Sequence, residues 1–251
     1  MIHTQNKCIG SLPYTIRAGD SLWKIANRFK IMVSDITTLN PGLNPNNLQI
    51  GQIICVPQNS GKMPAQPPIR GISRSELNLS NHLRMLWEQH VYWTRMVMLS
   101  MIFGLPDVDY TTNRLLQNPK DVEAAIKPFY GEKVAAQLGE LLTNHLEIAG
   151  QLVQAMIKDD SAAVDDADKR WHQNADEIAM FLAGINPNWS MKEWQKMLYD
   201  HLAMTKDEAS DLFNEKFVDS INMFDNVERQ ALGMADTMTN GIILQFPQYF
   251  R

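Results

Sequence analysis

P-Y-T-I-R-A-G-D-S-L-W-K-I-A-N-R-F, residues 13–29, changes its periodicity halfway, and that change decides how the first sixty residues fold. Pro13 to Arg17 alternates in the manner of a strand, and Ala18-Gly19-Asp20 is a turn whose glycine can supply a positive φ. Asp20 or Ser21 can then cap a helix on which Leu22, Trp23, Ile25, Ala26 and Phe29 recur at helical spacing. Working outward, Ser34-Asp35 caps a second short helix holding Ile36 and Leu39, and Asn40-Pro41-Gly42 ends it. After the loop from Leu43 to Gly51, the run Gln52-Ile53-Ile54-Cys55-Val56 is a second strand closed by Pro57. The expected order is strand, helix, helix, strand, a small α+β module.

Y-T-I-R-A-G-D-S-L-W-K-I-A at 14–26, L-N-P-G-L at 39–43 and N-L-Q-I-G-Q-I-I-C-V-P at 47–57 resemble the LysM pattern nearly position for position. The resemblance covers residues 13–57. It implies two antiparallel strands with both helices on one face, and a shallow groove between two loops that binds the N-acetyl groups of amino sugars. Carried over by position, Gly19, Asp20, Ser21 and Leu22 line one side of the groove, and Asn47, Leu48, Gln49 and Ile50 the other. An acetamido sugar needs backbone N–H and C=O groups for its amide and small apolar contacts for its methyl, which such loops offer. The plainer reading is that Asp20 and Ser21 only cap a helix while Leu22, Leu48 and Ile50 only pack. The partners implied are peptidoglycan or chitin oligomers, and a single copy predicts weak binding because avidity normally comes from repetition.

The charge changes sign along the chain. Residues 1–62 carry six Lys/Arg against two Asp/Glu and the remainder 17 against 26, which supports a division near residue 60. The expected domains are a module over 1–60, a linker over 61–74 and a helical domain over 75–251. Q-N-S-G-K-M-P-A-Q-P-P-I-R, residues 58–70, lacks periodicity and reads as a semi-extended tether. An acidic larger domain without basic runs repels phosphate backbones, so nucleic acid is not an expected partner. No stretch reaches the roughly 20 apolar residues of a membrane span. M-I-H-T-Q-N-K-C-I-G lacks the apolar core of a Sec signal peptide, so either export uses another route or the sequence begins after processing; the LysM resemblance implies a cell wall or spore surface, with cytoplasmic or mother-cell synthesis left open. Cys8 and Cys55 both fall in the first module, either as two unrelated thiols or as a disulfide tying the amino-terminal arm to the last strand.

From Ser75 the pattern is helical, with breaks that delimit helices near 75–103, 108–117, 119–130, 132–158, 162–185, 190–203 and 206–243, an all-α bundle. Apolar seams run through Leu83, Leu86, Trp87, His90, Thr94, Val97 and Met101; through Leu138, Leu142, His145, Ala149, Leu152 and Met156; through Val164, Trp171, Ala175, Ile178, Leu182 and Ile185; and through Trp194, Met197, Leu198 and His201. His172 lies beside the third seam, with Asp168 and Asp176 one turn either way. Histidines on four facing helices can converge on one transition-metal ion, which makes His90, His145, His172, His201, Asp168 and Asp176 candidate ligands. Neither the Glu-x-x-His of di-iron bundles nor the His-Glu-x-x-His of zinc hydrolases is present, and a histidine on an apolar face is more often a hydrogen-bonded core residue. Met96, Met98 and Met101 read as core filler, and Arg95 beside Trp93 and Tyr92 as a surface cation–π pair.

W-E-Q-H-V-Y-W-T-R at 87–95, N-R-L-L-Q-N-P at 113–119, N-A-D-E-I-A-M-F-L at 174–182 and Q-A-L-G-M-A-D at 230–236 resemble a group of helical proteins from spore-forming Firmicutes that often carry the label acetylglutamate kinase. This sequence has no Gly-rich phosphate loop after a strand and no α/β alternation, so kinase activity is rejected. The group's pattern does not require a histidine at 172, which leaves His90, His145 and His201. A hydrolase would need a carboxylate pair, and nothing in the spacing of Glu88, Glu140, Glu147 and Glu177 singles one out. The leading expectation is a glycan-binding module joined to a structural or protein-interaction bundle; the second is a metal-binding or metal-dependent enzyme carried to the wall by that module.

Overall fold

The computed structural model describes residues 8, 10–45, 47–57 and 71–250. The chain divides into two compact units, Met1–Gly71 and Ile72–Arg251. The tether expected at 58–70 lies outside the described residues.

In the first unit, β1 (Ser11–Thr15) pairs antiparallel with β2 (Ile53–Pro57), Tyr14 opposite Ile54, and α1 (Leu22–Phe29) and α2 (Val33–Leu39) lie between them in sequence. Pairing continues past β1: Ile16 N–H donates to Gln52 O and Gly51 N–H to Ile16 O, each at 2.9 Å. Tyr14, Ile16, Leu22, Ile25, Ile36, Ile54 and Val56 form the core. Ser21 caps α1, its hydroxyl accepting from Lys24 N–H, and Lys30 ends it in the left-handed region. The second helix is not capped at Ser34; it starts after Met32, whose N–H donates to the Asp35 carboxylate at 2.9 Å. Asn40 does more than end α2. Its side-chain amide donates to Ile36 O and Cys55 O and accepts from Cys55 N–H, at 2.6, 2.7 and 2.8 Å, clamping the helix to β2. Cys8 and Cys55 are joined by a disulfide with α-carbons 5.3 Å apart.

The second unit is helical: α3 (Arg74–Ile102), α4 (Val108–Leu115), α5 (Asn118–Tyr130), α6 (Glu132–Ile157), α7 (Ser161–Ile185), α8 (Met191–Phe213) and α9 (Phe217–Gln245), then a short 3-10 turn. Ser73 and Glu76 form a reciprocal cap on α3, and Ser190 caps α8. The break expected at Thr205 is absent. Thr205 is buried in the stripe His201, Thr205, Ala209, Leu212, so α8 runs through it and stops at Asn214-Glu215, where Glu215 has φ 57°. Arg95 also departs from expectation. It turns inward to pair with Glu208, bonds Ser220 Oγ at 2.9 Å, and lies over the Phe224 ring. Burial pushes the Glu208 carboxyl up to about 7 against the pull of Arg95.

Candidate functional sites

The first candidate is the pair of loops that the Ile16–Gly51 and Ile16–Gln52 bonds hold side by side. Gly19, at φ 79°, turns the chain between β1 and α1, and its carbonyl accepts from Lys24 Nζ at 2.8 Å. On the opposite loop Gln49 Nε2 donates to Asn47 Oδ1 and Gln49 N–H to Gln52 Oε1, which stiffens the rim. Gly19, Asn47, Gln49 and Ile50 are exposed, Ile50 to 74%. Leu48 is half-buried, and Leu22 is a core residue at 4% exposure. Asp20 is committed to the loop itself. Its carboxylate accepts from Tyr14 Oη at 2.7 Å and Arg17 N–H at 2.9 Å and faces Arg28, bonds that hold its pKa below the ordinary carboxylate value. Trp23, which its spacing had assigned to the buried face, is 68% exposed immediately after Leu22. The angular position of 23 relative to Leu22, Ile25 and Ala26 was the available signal, since one residue beyond Leu22 turns 100° away from that face.

The second candidate lies inside the bundle, where His90, His145 and His201 meet. The His90 ring centre is 6.3 Å from that of His145 and 5.7 Å from that of His201. All three line a cavity of about 30 Å³, whose other walls are Leu, Val, Ile, Met, two tryptophans and Asn118. His145 and His201 each have an amide partner on the next helix, Asn174 and Gln230, and Asn118 at the start of α5 lines the cavity with His90. Each amide in turn donates its NH2 to the carbonyl four residues before its histidine, Leu86, Leu141 and Met197, at 2.8, 3.1 and 2.8 Å. Asn174 and Gln230 turn their amide oxygens, which accept, to the imidazoles. His145 Nδ1 to Asn174 Oδ1 is 3.0 Å and His201 Nδ1 to Gln230 Oε1 is 3.1 Å, so both rings carry their proton on Nδ1 and leave Nε2 a bare acceptor. Burial, reinforced by the neighbouring imidazoles, drives His90 well below the ordinary imidazole range. Burial, with His201 beside it, takes His145 to about 3, and burial takes His201 to about 4 against its bond to Gln230.

The remaining expected ligands lie elsewhere. His172 bonds Asp168 O and packs against Tyr199, Asp168 is paired with Lys206, and Asp176 accepts from Gln195 and Tyr199. They flank α7 on a half-exposed face, one residue or one turn away from the buried stripe. Among the described residues no group of three His, Cys, Asp or Glu side chains is disposed to hold a metal ion; of the six residues expected at one ion, His90, His145 and His201 line one cavity, while His172, Asp168 and Asp176 are bonded elsewhere.

A two-stranded hairpin carrying two short helices, with paired loops at one end, defines the class of the first unit. Residues 14–57 match the LysM domain family. Over 47 residues it is 49% identical to the secreted LysM effector Blys4 of Beauveria bassiana (strain ARSEF 2860), and over 48 residues 44% identical to the secreted LysM effector ELP2 of Colletotrichum higginsianum (strain IMI 349063). Each match covers 19% of this chain, and they span 28% and 27% of the two relatives. No solved structure matches the chain. Among the described residues no helix is long and apolar enough to cross a membrane.

Proposed function

We propose that the protein binds N-acetylglucosamine-containing glycans, peptidoglycan or chitin oligomers, through the loops around Gly19 and Asn47–Ile50, and that the helical bundle is a structural or interaction domain held at a cell wall or spore surface by that attachment. The observation that carries the reading is the juxtaposition of the two loops by the Ile16 backbone bonds, with Ile50 left 74% exposed beside polar Asn47 and Gln49. A large aliphatic side chain standing on a polar rim suits the methyl of an acetamido group, while the neighbouring amides suit its oxygen and nitrogen. Asp20 and Leu22 support the groove from beneath. Secreted LysM effectors as relatives of the module support a role outside the cell.

Titration of the full chain with chitin hexamer, and co-sedimentation with insoluble peptidoglycan, tests this. Saturable binding that Ile50→Asp with Asn47→Ala removes, while the thermal unfolding of the module is unchanged, supports the groove. Equal binding by that variant refutes it.

A further inference from the structure

A second cavity, of about 440 Å³, lies in the bundle among α3, α4, α6, α7 and α8, and none of the three inward histidines lines it. Its wall is mainly apolar: Val97, Met98 and Met101 come from α3, Leu115 from α4, and Leu146 and Val153 from α6. Space is left on the α6 side, where Ala149 and Gly150 carry almost no side chain and a Cβ added at Gly150 would enter open space. A cavity of this size lies in the range of small-molecule sites. Roughly 150 Å³ of apolar space already accepts benzene.

Two buried residues of this wall carry a polar atom that the protein does not satisfy. Trp171 is 3% exposed and Thr205 5%, and neither Trp171 Nε1 nor Thr205 Oγ1 has a hydrogen-bond partner. Other residues of the same types are bonded. Thr94, Thr111, Thr143, Thr237 and Thr239 each return their hydroxyl to the carbonyl four residues earlier, at 2.7 to 3.1 Å. Trp189 gives its indole N–H to Thr237 O at 3.2 Å. Thr205 stands inside α8 with the same option and does not take it. Burying an N–H and a hydroxyl without partners is unfavourable, so the wall is complete only when something else bonds them.

From this geometry we infer that the cavity is a binding site for a small neutral amphiphile, an aliphatic or aromatic body carrying an alcohol, ester or amide group that bonds the Trp171 indole N–H and the Thr205 hydroxyl. The apolar wall takes the body, and the sulfurs of Met98 and Met101 suit an aromatic ring. Charge selects the head group. The charged residues of the wall are Asp109, Glu147 and Lys206, and Lys206 is bonded to Asp168 at 2.9 Å. A carboxylate ligand would meet two like charges and a cation already in use. An ammonium head would face the Trp171 N–H, which can only donate. A neutral oxygen acceptor avoids both conflicts.

The test titrates the full chain with phenylbutanamide and follows the assigned indole N–H resonance of Trp171. A saturable downfield shift of that proton is expected as its hydrogen bond forms. Butylbenzene, which fills the same space without an oxygen, and phenylbutanoate, which adds a charge, should each bind about tenfold or more weakly. Thr205→Val keeps the shape and removes the hydroxyl. It should weaken phenylbutanamide by about three- to tenfold, leave butylbenzene unchanged, and hold or raise the melting temperature, because a methyl replaces an unpartnered hydroxyl. Gly150→Leu fills the space and should abolish binding; if it does not fold, Thr205→Val together with the three ligands decides. No saturable shift up to the solubility of the amide would leave the cavity to water alone and overturn the site. Butylbenzene binding as tightly as the amide, phenylbutanoate binding more tightly than it, or amide binding unchanged in Thr205→Val would each overturn the assigned ligand class.

Discussion

Replacing Cys8 and Cys55 by serine should unfold the LysM domain selectively, because the disulfide closes most of that unit. The bonded cysteines are 47 residues apart in sequence, and the loop between them contains both helices and β1. In the chain-entropy account a loop of this length stabilises by about 4 kcal/mol. That is comparable to all the stability a core of this size usually supplies, since domains near 45 residues rarely bury enough surface to fold without a cross-link. The bundle contains no cysteine, so its own unfolding serves as an internal control. Urea denaturation of the full chain, followed by amide resonances of Ile25 and Ile54 for the module and of Leu138 and Ile178 for the bundle, separates the two. The double variant should lose the first transition or shift it by about 2–4 kcal/mol, lose chitin binding in parallel, and leave the bundle transition in place. A module transition within about 0.5 kcal/mol of wild type would refute the reasoning, because the short arm before β1 would then contribute nothing to the ordering of the unit.

Three further outcomes are expected. Asn40→Ala removes three side-chain bonds that join α2 to β2 and should cost the module about 2–3 kcal/mol in the same denaturation experiment; a loss below about 0.5 kcal/mol would show that the clamp is replaced. Gly241→Ala places a Cβ 1.8 Å from Trp189 Nε1, which donates to Thr237 O, so the buried ring must leave its seat. The bundle should lose about 3 kcal/mol or more, and a melting temperature within a degree of wild type would contradict that contact. Glu208 has a folded-state pKa of about 7, above its ordinary value, so its protonation contributes stability that is complete below about pH 4.5 and lost as pH rises through 7. The stability difference between wild type and Glu208→Gln should therefore shift against wild type by roughly 3 kcal/mol from pH 4.5 to 8; a difference constant across that range would mean that Arg95, not burial, governs the carboxyl.

The LysM domain was legible because its information is local. Gly19 needs a positive φ, Ser21 meets a helix N-terminus, and Leu22, Ile25 and Ala26 repeat at the helical period, so each element announces itself within a few residues. What sequence reading mistook there was orientation at single positions. Trp23 is as apolar as its neighbours yet points 100° away from them, and Asp20 carries the groove's signature while its carboxylate is used by Tyr14 and Arg17. Composition does not distinguish a residue that lines a groove from one that holds it open.

The bundle's helices were legible for the same reason, and its chamber was not. His90, His145 and His201 stood out as polar residues on apolar seams, but a seam says only that a side chain faces inward, not what meets it at the same height. The partners Asn118, Asn174 and Gln230 lie on other helices, where an isolated amide looks like any surface residue. Carboxylates drew attention instead because they are the usual companions of histidine, and Asp168 and Asp176 each proved to lie one residue beyond a buried alanine, Ala167 and Ala175, on a half-exposed face. The pattern becomes readable only when α3, α6 and α8 are compared: residues 90, 145 and 201 each have a bulky apolar neighbour seven and three positions earlier, Leu83 and Trp87, Leu138 and Leu142, Trp194 and Leu198. Low identity hides that repeat, because packing fixes size and polarity at these positions and leaves the residue type free. At positions 145 and 201 it leaves much less freedom, since an amide oxygen stands opposite and requires a donor. Imidazole meets that requirement at His145 and His201, and His90 lies with its ring centre 6.3 and 5.7 Å from theirs, so the recurrence of one residue type at one depth, rather than any single histidine, marks the chamber.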